Sequence, residues 1–148
     1  MFIKTITYTD FNGLERKEAF YFNFTETELI EMELKNNGGF ADMLKRIIDA
    51  KDQEALIREF KSFVLKAYGE KSSDGRRFMK SPEISKAFSE TPAYNQLYME
   101  LAFNDIAASE FIKALIPDDL HERVMKYINT NKKDKPQLEA VDANLSAE

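Results

Sequence analysis

The sequence contains no cysteine and no tryptophan, and it has one histidine, five glycines and four prolines among 148 residues. The absence of cysteine excludes disulfide bonds, thiolate catalysis and zinc sites with sulfur ligands. No apolar run approaches the roughly 18 residues of a membrane-spanning helix, and the N-terminus does not resemble a signal peptide. We therefore expect a protein of a reducing compartment, without a membrane partner.

The residues that are present describe an ordinary folded protein. Hydrophobic residues make up 43% of the chain and charged residues 32%, with twelve phenylalanines and six tyrosines available for a core. The net charge of −5 argues against broad binding of nucleic acid or anionic lipid. The length fits one domain, which we place at residues 1–129, and the polar residues 130–148 are expected to form a flexible tail.

The N-terminal residues carry the most specific structural pattern of the chain. Apolar and polar side chains alternate over residues 1–9 and again over about 14–24, which is typical of strands with one buried face. Between them, Asn12-Gly13 is a strong turn signal, because these residues accept the positive φ angles of tight turns. We therefore predict a β-hairpin over residues 1–24.

Apolar periodicity predicts about six amphipathic helices between residues 25 and 129. Thr25 and Glu28 form the pattern of a capping box at the first helix, which should end at Asn36–Gly39. The stripe from Phe40 to Ile48 predicts a second helix. The later helices have start signals at Asp52, Ser81-Pro82, Thr91-Pro92 and Asp105. The helix that begins at Asp52 is expected to end at Gly69, and an exposed loop is expected over Glu70–Arg77.

Together these patterns predict an α+β protein that is mostly α-helical. The N-terminal β-hairpin should be followed by about six amphipathic helices and a flexible C-terminal tail. Within the globular domain the hairpin occupies residues 1–24 and the helical part residues 25–129.

Two sets of residues are of the types that can supply catalytic or metal-binding groups. Four glutamates crowd the first predicted helix, but acidic residues also stabilise a helix N-terminus, so we interpret them as a solvated face. His121 is the only histidine, and no nucleophile motif accompanies it, so we expect a surface residue. We predict no catalytic, metal or cofactor site, and no enzyme activity. The glutamates are Glu26, Glu28, Glu31 and Glu33.

The segment from Lys61 to Lys86 is locally positive, with seven basic and three acidic residues. It is either a plain solvated face or a contact surface for another protein, since complementary charge steers such encounters. Arginine, phenylalanine and methionine are enriched at interface cores, although Phe78 and Met79 could instead anchor the loop to the core. The candidate partner-binding residues are Tyr68, Arg76, Arg77, Phe78 and Met79.

Several stretches resemble a family of small proteins from long-tailed bacteriophages and prophages, the tail assembly chaperones. The resemblance covers roughly Met1 to Leu120 and is carried by residues Thr5–Gly13, Phe20–Asn23, Lys66–Lys71, Asp74–Phe78 and Ala87–Tyr94. It implies a protein of the infected cell's cytoplasm that binds the tape measure protein, helps tail tube subunits to polymerise, and is absent from the mature virion. It also implies a possible longer form of the chain made by frameshifting, but no residue-level site.

The primary hypothesis is therefore a non-enzymatic tail assembly chaperone, with the tape measure protein and the tail tube protein as partners. One alternative is a small structural component of the phage tail or head–tail region. A second alternative is a host-directed effector or an enzyme, for which the residues offer no site.

Overall fold

The computed structural model describes residues 1–36, 38–40, 42–43, 45 and 53–130. Most of the predicted stripe from Phe40 to Ile48, the predicted cap Asp52 and the tail beyond residue 130 lie outside the described residues. The elements are β1 (Phe2–Thr9), β2 (Glu15–Phe22), α1 (Glu26–Lys35), α2 (Gln53–Ala67), β3 (Tyr68–Lys71), β4 (Phe78–Met79), α3 (Pro82–Ser89), α4 (Pro92–Phe103) and α5 (Asp105–Leu115), and residues 120–130 are also helical. The predicted class, α+β and mostly α-helical, is confirmed.

The predicted N-terminal hairpin is present. β1 and β2 pair in antiparallel register from Phe2 opposite Phe22 to Thr9 opposite Glu15. Asp10 closes the connecting loop, since its Oδ1 accepts hydrogen bonds from the backbone nitrogens of Asn12 (2.8 Å) and Leu14 (2.9 Å). Gly13 has a φ of 84°, as the Asn-Gly signal indicated.

A second hairpin continues the sheet, and it corrects two predictions. The sheet order is β1-β2-β3-β4, with Phe22 opposite Tyr68 and Lys71 opposite Phe78. The helix predicted to end at Gly69 ends at Ala67, where the chain enters β3 directly. The segment predicted as a loop over residues 70–77 contributes two residues to β3. These strands are too short for alternation to appear in the sequence.

Side-chain caps fix the helix starts. Thr25 Oγ1 accepts a hydrogen bond from Glu28 N (3.2 Å), and Glu28 Oε1 accepts one from Thr25 N (2.9 Å), so the capping box is confirmed. Ser81 and Thr91 cap α3 and α4 before prolines, as predicted. The cap of α5 is Asn104 and not Asp105, because the Asn104 Oδ1 accepts hydrogen bonds from the first free backbone nitrogens of that helix.

Aromatic side chains fill the core between one face of the sheet and the helices. Phe22, Phe63 and Phe111 are essentially fully buried. The ring of Phe111 lies 5.3 Å from that of Phe22 and 5.8 Å from that of Phe63, in edge-to-face geometry, so it joins the sheet to α2 and α5. Helical residues 120–130 bury Leu120 and Val124 against the same core.

A substitution at Gly69 tests how tightly the second hairpin is packed. A Cβ atom at this position would lie 2.5 Å from the Phe78 ring and 2.9 Å from the Met79 carbonyl oxygen. We expect Gly69→Ala to lower the free energy of unfolding by about 1–3 kcal/mol, because overpacking forces neighbours to move.

The measurement is urea denaturation followed by circular dichroism. The matched control is Gly75→Asn in the same hairpin, where a Cβ meets no atom within 4 Å and the positive φ of 75° suits asparagine. Equal stability of Gly69→Ala and the wild type would contradict the packing described.

Candidate partner-binding surfaces

Tyr68, a predicted contact residue, lies in the core. Its exposed fraction is 8%, and its ring stacks on Phe88 with centroids 3.9 Å apart. Burial raises the pKa of Tyr68 to about 12. The side chain therefore packs the second hairpin against α3, and in this conformation it is not accessible to a partner.

Arg76 and Arg77, in contrast, are exposed on a well-defined turn, residues 72–77, which we call the basic turn. Asp74 Oδ1 accepts hydrogen bonds from Ser72 Oγ (2.7 Å) and Arg76 N (3.0 Å). The hydrogen bond from Ser72 lowers the pKa of Asp74, so the carboxylate stays charged. Ser72 Oγ also accepts from Arg77 N (3.0 Å). Neither arginine forms an ion pair among the described residues.

Phe78 and Met79 are half-buried at the base of the basic turn. The Phe78 ring packs over Gly69, and the Met79 backbone pairs with Glu70. The sequence allows two roles for Phe78 and Met79, contact with a partner or anchoring of the loop to the core. Both contacts favour the anchoring role. The structure thus brings two of the five predicted contact residues, the arginines, to the surface.

Lys80 fastens the second hairpin to the start of α1. Its Nζ donates hydrogen bonds to the Asn23 carbonyl oxygen (2.5 Å) and to Glu28 Oε2 (2.9 Å), and lies 4.7 Å from the Phe24 ring centroid. Burial lowers the pKa of Lys80, and Glu28 offsets part of that effect. Burial also acts to raise the pKa of Glu28, but the hydrogen bonds with Thr25 and the ion pair with Lys80 outweigh it and lower that pKa.

Glu33 does not lie on a solvated face, which corrects the prediction for this residue. It is 5% exposed; its Oε2 accepts a hydrogen bond from Phe40 N (3.1 Å), and its Oε1 lies 2.8 Å from His121 Nδ1. His121 remains exposed, as predicted, and links helical residues 120–130 to α1. No local pattern could have found a pair that lies 88 residues apart in the chain.

An apolar groove opens between α2, α4 and α5. Its volume is about 560 Å³, within the range of about 300–1,000 Å³ that ligand sites show. Sequence periodicity assigned several of its residues to helix faces but could not place three helices around one concavity. We call it the helical groove and define it by Ile57, Phe60, Tyr98, Leu101, Ala108 and Ile112, with Asp105, Ser109, Lys113 and Asp118 also contributing to its lining.

Within the described ranges, no group of three or more histidines, aspartates or glutamates could hold a metal ion. None of the helices described is long and apolar enough to cross a membrane. The basic turn presents exposed charge, and the helical groove presents apolar side chains.

The Glu33 carboxylate should matter more for stability than its exposed neighbours. Glu33→Ala leaves the buried Phe40 N without its acceptor, so we expect the free energy of unfolding to fall by about 1–3 kcal/mol. Glu31→Ala, an exposed change on the same helix, is the control and should cost less than about 0.5 kcal/mol. Urea denaturation measures both, and similar losses would contradict the described role of Glu33.

The lowered pKa of Glu28 predicts a dependence of stability on pH. Because the folded pKa lies below the unfolded value near 4.5, the contribution of Glu28 is present above that value and is lost as the pH falls. Between about pH 6 and pH 3, the free energy of unfolding should therefore fall less in Glu28→Gln than in the wild type. Glu26→Gln, which removes an exposed carboxylate from the same turn but leaves the Thr25 and Lys80 contacts of Glu28 in place, is the control. An equal fall in Glu28→Gln and the wild type would contradict the prediction.

Comparison with known proteins identifies a family. A family model described as phage tail assembly chaperone matches residues 1–147. No curated protein and no solved structure matches the chain. The match reaches beyond the residues 1–120 over which the sequence resemblance was recognised, and it confirms that resemblance. The chain therefore belongs to the phage tail assembly chaperone family.

Proposed function

We propose that this chain binds the tape measure protein of its phage, keeps it soluble, and assists assembly of the tail tube around it without enzyme activity. The observation that carries the proposal is the family match over residues 1–147. The proposed site of action is the host cell cytoplasm, with the chaperone released before the virion is complete. The tail tube protein and a frameshifted longer form of the chain are proposed as further partners.

Two features of the surface support a holding function. Large apolar side chains are exposed on several elements, among them Phe11 (85%), Phe103 (80%) and Ile106 (72%), and such side chains, where they cluster, mark sites of protein contact. The basic turn adds a patch of opposite sign to the chain's net charge of −5. A surface that offers both apolar and charged contacts suits a long partner of mixed composition.

Co-expression tests the proposal directly. The tape measure protein of the same phage is produced in bacteria with this chain, and with an unrelated acidic protein of similar size as control. We expect the tape measure protein in the soluble fraction only with this chain, and the two should elute together in size-exclusion chromatography. An insoluble tape measure protein in both cultures would overturn the proposal.

Mass spectrometry of purified virions separates the proposal from a structural role in the tail. A chaperone should be absent or present in trace amounts relative to the tail tube protein, and abundant in the lysate before assembly. A stoichiometric amount in the particle would favour a structural tail component.

The basic turn provides a residue-level prediction. We expect Arg76→Glu/Arg77→Glu to weaken capture of the tape measure protein by about tenfold or more, because two exposed cations that lack ion-pair partners are reversed. Lys17→Glu/Lys126→Glu, an equal charge change at exposed sites elsewhere, is the control. Capture that is equal for both variants, with both folded by circular dichroism, would contradict a role for the basic turn.

A further inference from the structure

We propose that the helical groove binds an amphipathic helix of the tape measure protein, and that this helix carries lysine or arginine beside its apolar stripe. The inference rests on the proposed function and adds to it a site and the chemistry of the bound segment. It is argued from the shape of the groove, from the apolar surface around it and from its charge.

The shape of the groove suits a helix of about two turns. On α5 the lining extends from Asp105 to Lys113, a separation of eight residues that spans about 12 Å along the helix axis. Apolar residues from three elements form its walls, so side chains spaced i, i+3 or i+4, and i+7 on a partner helix could enter it. α2 contributes Ile57 and Phe60, and α4 contributes Tyr98 and Leu101.

Exposed apolar side chains extend this surface beyond the cavity itself. Ile57 lines the groove and is 51% exposed. Ile106 is 72% exposed and lies seven residues before the lining residue Lys113, hence on nearly the same face of α5. A small molecule held within the cavity would leave these side chains in water, whereas a helix laid across it would cover them.

The charged side chains in the groove lining are those of Asp105, Asp118 and Lys113, and the stretch of chain that supplies most of the lining is acidic. This excess of carboxylates favours a cationic partner. Residues 98–122 contain six acidic residues against one lysine and one histidine. Two of the acidic residues have partners, since Lys4 pairs with Glu100 at 3.0 Å and Arg123 pairs with Asp119 at 2.9 Å. The other four form no ion pair within the part of the chain that the structure describes, and they are Asp105, Glu110, Asp118 and Glu122.

The helical groove and the basic turn therefore make different demands on a partner. A segment that fills the groove brings apolar residues and positive charge, whereas a segment at the basic turn brings negative charge. A long chain can satisfy both with different segments, so variants of the two surfaces should affect binding of different peptides.

The test uses an array of overlapping 20-residue peptides that cover the tape measure protein of the same phage, probed with the full-length chain. We expect the wild type to bind a small set of peptides with apolar residues at helical spacing and a positive net charge. Ile57→Glu should weaken binding of these peptides by about tenfold or more, because it places a charge in the apolar groove at an already exposed position.

Leu14→Glu is the matched control, since Leu14 is 59% exposed and lies at the tip of the first hairpin, outside the groove. It should bind the same peptides as the wild type. Asp105→Asn/Asp118→Asn should weaken binding by about threefold to tenfold and should reduce its dependence on salt, because two of the groove's anions are removed.

Several results would overturn the inference. Bound peptides that are acidic or that lack helical apolar spacing would do so, as would unchanged binding by Ile57→Glu. Binding that appears only after residues 131–148 are deleted would show that the chain itself occupies the groove. Binding of the small molecule 1-anilinonaphthalene-8-sulfonate to the chain, without binding of any peptide, would indicate that the groove is a small-molecule site.

Co-expression distinguishes failure of this inference from failure of the proposed function. If Ile57→Glu keeps the tape measure protein soluble as well as the wild type does, the groove is not the site and the chaperone function stands. If the wild type itself fails in both co-expression and the peptide array, the proposed function fails with it.

Discussion

The packing of Phe22 is the contact on which the arrangement of the described elements depends. Its fully buried ring contacts Phe2 on β1, Tyr68 on β3, Phe88 on α3 and Phe111 on α5, all with centroids within 6.2 Å. One residue of the central strand therefore fixes both its neighbours in the sheet and two helices. Because aromatic pairs prefer particular tilts, this cluster specifies orientation as well as burial.

That arrangement separates the two candidate surfaces. α4 lies along β1, where Gln96 Nε2 donates a hydrogen bond to the Thr7 carbonyl oxygen (3.0 Å). The basic turn connects β3 to β4, the two strands on the other side of the sheet from β1. Among the described residues, no ion pair joins a side chain of the basic turn to one of the groove lining.

The sequence predicted the elements whose signals are local. Asn12-Gly13 and the Thr25–Glu28 box each act within a few residues, and both have the predicted geometry. The second hairpin could not be found in this way, because β4 has only two residues, and they meet Gly69, Glu70 and Lys71 through close packing and strand pairing that no local pattern shows. The Glu33–His121 contact and the helical groove also depend on residues far apart in the chain, which periodicity does not bring together.

A chaperone must expose apolar side chains to a client and still remain soluble, and the charges around the groove reconcile these demands. Contiguous exposed apolar surface promotes association, whereas net charge of one sign opposes it between identical molecules. The carboxylates of Asp105 and Asp118 lie in the groove lining itself. They would repel a second acidic copy of the chain and attract the cationic helix that we propose for the groove, so the same charges could oppose self-association and favour that partner.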